Sequence, residues 1–139
     1  MVHLSGLIAA LSPETTTLCL DIAKVAKANG AQDMESALEV FKDQLRPDAK
    51  LVIAWGDKGA CAYDKKTAKT FVSPAFPPES GVVDTLGAGD TFNACVIGGL
   101  SSGLGLEQAV GVACRVAGAK VGQRGFQGLR EVYQMCKAE

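Results

Sequence analysis

Gly81-Val82-Val83-Asp84-Thr85-Leu86-Gly87-Ala88-Gly89-Asp90-Thr91-Phe92-Asn93-Ala94 reads as three pieces in a row. Val82 and Val83 suit a short buried strand, the glycines around Ala88 suit a tight turn, and apolar residues recur at helical spacing from Asp90 onward. The stretch is therefore expected to run strand, anion loop, helix.

Such a junction carries its own chemistry. The first amides of a helix have no intrahelical partner, and they point outward with the positive end of the helix dipole. Glycine at 87 and 89 lets the backbone approach a phosphate with no β-carbon in the way. Asp90 is the unexpected residue, because a carboxylate beside a phosphate site repels the phosphate. Two readings follow. Asp90 takes the proton from a hydroxyl that attacks phosphorus, or it is an acid in the first helical turn, stabilised by the dipole.

The rest of the composition narrows the classes. A chain of 139 residues with 47% apolar content and a net charge of -1 is long enough for one domain with a core. It has no basic excess to attract nucleic acid or an acidic membrane surface. His3 is the single histidine, which removes histidine metal clusters and a Ser/His/Asp triad. The five cysteines (Cys19, Cys61, Cys95, Cys114 and Cys136) form no CxxC pair and are odd in number, so they are expected to be reduced thiols in a cytoplasmic protein. Val2 to Leu11 has neither the basic start of a signal peptide nor the roughly 20 apolar residues of a membrane span.

Along the chain, residues 1–20 are left unassigned; Ser12-Pro13-Glu14 has the form of a helix start, although the Thr15-Thr16-Thr17 run is a poor helix former. Helices are expected from Asp21 to Gly30, with Ile22, Val25 and Ala26 on one face, and from Asp33 to Leu45, ended by Pro47. Lys50 to Trp55 suits a central parallel strand. The Gly56-Asp57-Lys58-Gly59 turn and the strand Ala60 to Tyr63 complete a hairpin, and Thr70 to Val72 adds a short strand before Pro74, Pro77 and Pro78 prevent regular pairing. Further helices are expected from Asp90 to near Gly103, over Leu106 to Lys120, and over Leu129 to Lys137. The small residues of the Asp90 helix suggest close packing on the sheet.

Asp84 to Phe92 resembles the signature of the ribokinase-like (PfkB) carbohydrate kinases, and its continuation to Asn93-Ala94 is similar to the ketohexokinase (fructokinase) members of that family. Ala75-Phe76-Pro77-Pro78, Val116-Ala117-Gly118 and Gly125-Phe126-Gln127-Gly128 extend the resemblance, which runs from about Asp21 to Leu129 and is strongest after Leu51. It implies the C-terminal, nucleotide-binding part of an α/β/α sandwich over residues 21–139, with a mostly parallel sheet, flanking helices and no β lid.

It also implies roles. Asp90 would be the general base toward a primary hydroxyl of a ketose such as fructose, and Gly87, Ala88 and Gly89 the anion hole for the transferring phosphoryl group. Gly56, Asp57, Lys58 and Gly59, together with Val121 and Gly122 near Ala117, would lie against ATP, supplied with Mg2+. Asp84 and Thr85 would help to hold a monovalent cation such as K+, as in some family members. By residues alone, Gly56 to Gly59 can equally be a plain hairpin turn, the segment around Ala117 core packing, Lys58 an exposed turn lysine, Trp55 core and Asp84 a strand-end cap.

Family members also carry an N-terminal half with the lid and most sugar contacts, which these residues do not resemble. The magnesium-organising Asn-x-x-Glu is absent, and Asp21 stands in the comparable place. Two functional readings therefore stay open: a sugar kinase, as a homodimer or with a partner chain supplying that half, and a non-catalytic nucleotide-binding module. A dinucleotide-binding oxidoreductase is disfavoured, because the third glycine of GxGxxG and the ribose-binding acid are missing.

Overall fold

The computed structural model describes residues 10–12, 15–20 and 30–139. The helix expected from Asp21, and Asp21 itself, lie outside these residues. Five strands form one sheet in chain order: β1 (Ala10–Ser12), β2 (Thr15–Leu20), β3 (Lys50–Ala54), β4 (Ala60–Asp64) and β5 (Lys69–Ser73). The helices are α1 (Met34–Lys42), α2 (Ala88–Ser101), α3 (Leu106–Val121) and α4 (Leu129–Ala138).

The sheet is mixed, not mostly parallel. Only β2 and β3 pair in parallel; the β1–β2, β3–β4 and β4–β5 pairs are antiparallel. Connection length explains the difference. A 3-10 turn at Gly56–Lys58 joins β3 to β4 and a turn at 65–68 joins β4 to β5, both too short for a crossover, whereas the β2-to-β3 connection carries α1 and has the length that parallel pairing needs. The helix start read at Ser12-Pro13 is also overturned. Ala10–Ser12 and Thr15–Leu20 are strands, in keeping with the β-branched threonine run.

Alternation along β3 and β4 divides the core into two layers. Val52, Ala60 and Ala62 face α2, α3 and α4, packing with Phe92, Val96, Val110 and Val116. Leu51, Ile53 and Cys61 face the other way, onto Ala37 and Leu38 of α1. Period-2 strands buried on both faces between helices make an α/β/α sandwich. Asp33 caps α1: its Oδ1 accepts from Ser36 N at 2.7 Å while Ser36 Oγ accepts from Asp33 N at 3.1 Å, a reciprocal capping box.

Val82 and Val83 do not form the buried strand expected of them. They lie in an irregular segment and are 65% and 51% exposed. After β5 the prolines at 74, 77 and 78 carry the chain over α3 rather than back into the sheet. Gly118 of α3 makes this crossing possible, since a Cβ there would land on the carbonyl oxygen of Phe76. The small residues of α2 serve helix packing more than sheet packing: a Cβ on Gly99 would come within 3.1 Å of Ala109 Cβ in α3.

Two glycines of α3 should therefore respond in opposite ways to alanine. At Gly111 a Cβ meets nothing within 4 Å, so Gly111→Ala should stabilise by about 0.5–1 kcal/mol through helix propensity. Gly118→Ala forces the Phe76 crossing apart and should destabilise by roughly 1–3 kcal/mol. Urea midpoints measured for both variants check the pair.

Candidate functional site

The junction between the irregular segment and α2 is built on Gly87, which adopts the left-handed conformation (φ 78°) at the helix N-cap and supplies no side-chain cap. Thr91 holds the turn closed, with its N–H and Oγ1 donating to the Gly87 carbonyl at 2.9 and 2.8 Å. The Ala88 N–H turns back to the Thr85 carbonyl at 3.2 Å. Among the described residues, no acceptor meets the N–H groups of Gly87, Gly89 or Asp90. Free amides at the positive end of a helix form an anion-binding surface. The Asp90 side chain is exposed beside them, and no hydrogen bond or ion pair engages its carboxylate among the described residues.

Behind this loop lies Lys120, at the end of α3 and fully buried. Its ammonium has three protons and three acceptors: the Asp84 carbonyl at 3.2 Å, Asp84 Oδ2 at 3.3 Å and the Gln123 carbonyl at 3.4 Å. The Phe126 ring covers it, with its centroid 5.3 Å from Nζ. The same ring packs against the loop, since a Cβ on Gly87 would lie 2.5 Å from Phe126 Cζ. Glycine is thus required at 87 for both its φ and its closeness to Phe126.

Asp84 completes the brace. Its Oδ1 accepts from Leu86 N at 3.0 Å, and this bond, followed by the Lys120 hydrogen bond and charge and the charge of Arg124, holds its carboxyl below the usual 3.8, against the opposing effect of burial. Val121 and Gly122 meet the same segment from α3. The Val121 carbonyl accepts from Val83 N at 2.7 Å and Asp84 N at 3.2 Å, and Gly122 packs against Pro78. The structure therefore brings together Asp84, Thr85, Gly87, Ala88, Gly89, Asp90, Val121 and Gly122.

Gly56, Asp57, Lys58 and Gly59 form the turn at the carboxyl end of β3, and no backbone hydrogen bond links them to the Gly87 loop among the described residues. Gly56, Asp57 and Lys58 are exposed, with Asp57 and Lys58 paired loosely at 3.9 Å. Gly59 is buried with φ 96°, and a Cβ on it would strike the Ser73 carbonyl. Trp55 packs partly buried against the α1-side core. A groove of about 510 Å³ between α2 and α4, lined by Thr91, Cys95, Phe126 and Tyr133 among others, includes none of the loop residues from Asp84 to Asp90.

Sequence reasoning missed Lys120 and Phe126. A signal for the lysine was present: it continues the buried face of α3 set by Ala109, Ala113 and Val116, a place where a lone charge needs partners. Burial pushes the Cys61 thiol up to about 12 and the Cys95 thiol up to about 11, and it also raises Cys114, which disfavours the reactive thiolate at these three positions.

The layered sheet and this helix start belong to the ribokinase-like fold. The structure of ribokinase from Thermotoga maritima superposes with a TM-score of 0.64 at 26% identity, covering 90% of this chain and 41% of that one. The ribokinase of Cryptococcus neoformans var. grubii, solved in complex with ADP, superposes with a TM-score of 0.60 at 26% identity, covering 76% of this chain and 33% of that one. In sequence, the ketohexokinase of Mus musculus is 46% identical over 105 residues, which are 76% of this chain and 35% of that protein. The chain belongs to the pfkB family of carbohydrate kinases, whose model matches residues 4–131. It spans between a third and about two-fifths of the length of these relatives. Among the described residues, no helix is long and apolar enough to cross a membrane.

Asp84→Asn should lower Tm by an amount that depends on pH. A depressed carboxyl pKa stabilises the fold above the unfolded value and loses that contribution as pH falls through the folded value. The gap in Tm between wild type and Asp84→Asn should be full above about pH 5 and close below about pH 3.8; melts across that range measure it.

Proposed function

We propose that this chain is the nucleotide-side portion of a cytoplasmic sugar kinase that transfers the γ-phosphoryl group of MgATP to a primary hydroxyl of a ketose such as fructose. The observation that carries the reading is the uncapped start of α2. There the free N–H groups of Gly87 and Gly89 stand beside an exposed, unengaged Asp90 carboxylate.

In this reading the amides of the Gly87-Ala88-Gly89 turn stabilise charge on the transferring phosphoryl oxygens. The Gly89 and Gly87 N–H groups are the available donors, while the Ala88 N–H serves the turn. Asp90 accepts the proton of the sugar hydroxyl as its oxygen attacks phosphorus, with positioning and electrostatics supplying most of the rate. Asp90 needs to be free for this role, and no internal partner claims it among the described residues. The base and ribose of the nucleotide would run along the Gly56–Gly59 turn and the Val121-Gly122 end of α3. The ADP complex of the Cryptococcus neoformans ribokinase supports a nucleotide on this fold. The 46% identity with mouse ketohexokinase supports a ketose acceptor.

A coupled ADP-release assay with MgATP and a panel of ketoses tests the reading. Ketose-dependent turnover should fall by about 100-fold or more in Asp90→Asn, the usual scale for loss of a general base. Retained turnover in Asp90→Asn would contradict the role of Asp90. ATP-dependent stabilisation without turnover would favour the second reading, a non-catalytic nucleotide-binding module.

A further inference from the structure

A monovalent cation beside Asp84 and Thr85 does not fit these residues. The oxygens that would ligate it, the Asp84 carbonyl and Asp84 Oδ2, are already taken by Lys120 Nζ at 3.2 and 3.3 Å, with the Gln123 carbonyl at 3.4 Å and the Phe126 ring completing the enclosure. We infer that the Lys120 ammonium is a built-in monovalent cation, covalently tethered, that holds the phosphate loop in shape and makes this chain independent of K+.

The cage is suited to a cation in general. Two carbonyl oxygens, a carboxylate oxygen and an aromatic face are all electronegative, and no positive group other than Lys120 makes a hydrogen bond or ion pair there among the described residues. Arg124 acts on Asp84 through charge at longer range. Left without its cation, the cage would place a carboxylate and two carbonyls together with nothing to offset them, and the Asp84-to-Gly87 turn would lose its anchor. The tethered ammonium loses no translational freedom when it binds, whereas a free ion does, so the site stays filled whatever the salt. Its charge also lies behind the loop whose amides face the phosphate, where it adds to the field of the helix terminus. Lys120 is thus a positioning residue. It acts on the phosphate through Asp84 and, by way of Phe126, through Gly87.

The inference rests on reading Gly87–Asp90 as the phosphoryl site, but its test is read by melting and needs no turnover. Thermal unfolding of wild type, Lys120→Ala and Lys120→Met is followed in matched ionic strengths of choline, Na+, K+, ammonium and n-propylammonium chloride. Wild type should melt within about 1 °C in all of them. Lys120→Ala removes a propylammonium-sized piece, so it should melt several degrees lower in choline and recover by about 3 °C or more, saturably, in n-propylammonium, ammonium or K+. Lys120→Met fills the stem without the charge and should be destabilised in every salt alike. If Lys120→Ala does not fold in choline, recovery of folded protein in n-propylammonium supports the inference, and failure to recover it in any cation overturns it. Selective stabilisation of wild type by K+, a folded Lys120→Ala indifferent to every cation, or a Lys120→Met as stable as wild type would each overturn it as well.

Discussion

A single buried ammonium organises the working end of this chain. Burying a lysine charge is costly unless every proton finds an acceptor, and Lys120 meets that condition only if the chain from Asp84 to Gly87 folds back over the end of α3. The loop cannot relax outward without stranding the charge. The charge in turn could not be buried without the loop. The free amides of Gly87 and Gly89 are held in place by this mutual dependence more than by hydrogen bonds of their own.

The layers beneath serve the same end. α3 packs on β4 and β5 with an apolar face and leaves Lys120, the one charged member of that face, at its last turn. Val121 then accepts two backbone hydrogen bonds from the approaching segment, and Gly118 and Gly122 let Phe76 and Pro78 pass close over the helix. Arg115 stacks over Phe76 at 5.0 Å and covers the crossing from outside. The end of one helix thus aligns the start of another, although Lys120 and Asp84, which join them, are 36 residues apart in sequence.

Much of this architecture was legible in the chain. An apolar β-branched run marked β3, the Gly56–Gly59 turn marked the strand after it, Pro47 marked the end of α1, glycines bounded α2, α3 and α4, and the Gly87 turn announced its helix, because each of these signals is local. The errors came where neighbours decide. Val82 and Val83 have strand propensity, but the segment spends its backbone hydrogen bonds on Val121 rather than on a strand. The mostly parallel sheet was an expectation drawn from resemblance, and turn lengths between β3, β4 and β5 overrule it. At the site, Gly87, Gly89 and Asp90 were visible as a motif. Lys120 was hidden because its importance depends on acceptors 36 residues away, which no spacing rule reaches.

The central claim is that a lysine-braced loop presents its amides to phosphate. Amide NMR of 15N-labelled chain titrated with MgATP tests it most directly, with Lys120→Met run in parallel. The account predicts that the Gly87, Gly89 and Asp90 amides move most and saturate together in wild type, and that in Lys120→Met these amides are displaced before any nucleotide is added and respond weakly to it. Saturable binding that leaves those three amides still, or an unchanged loop response in Lys120→Met, would contradict it.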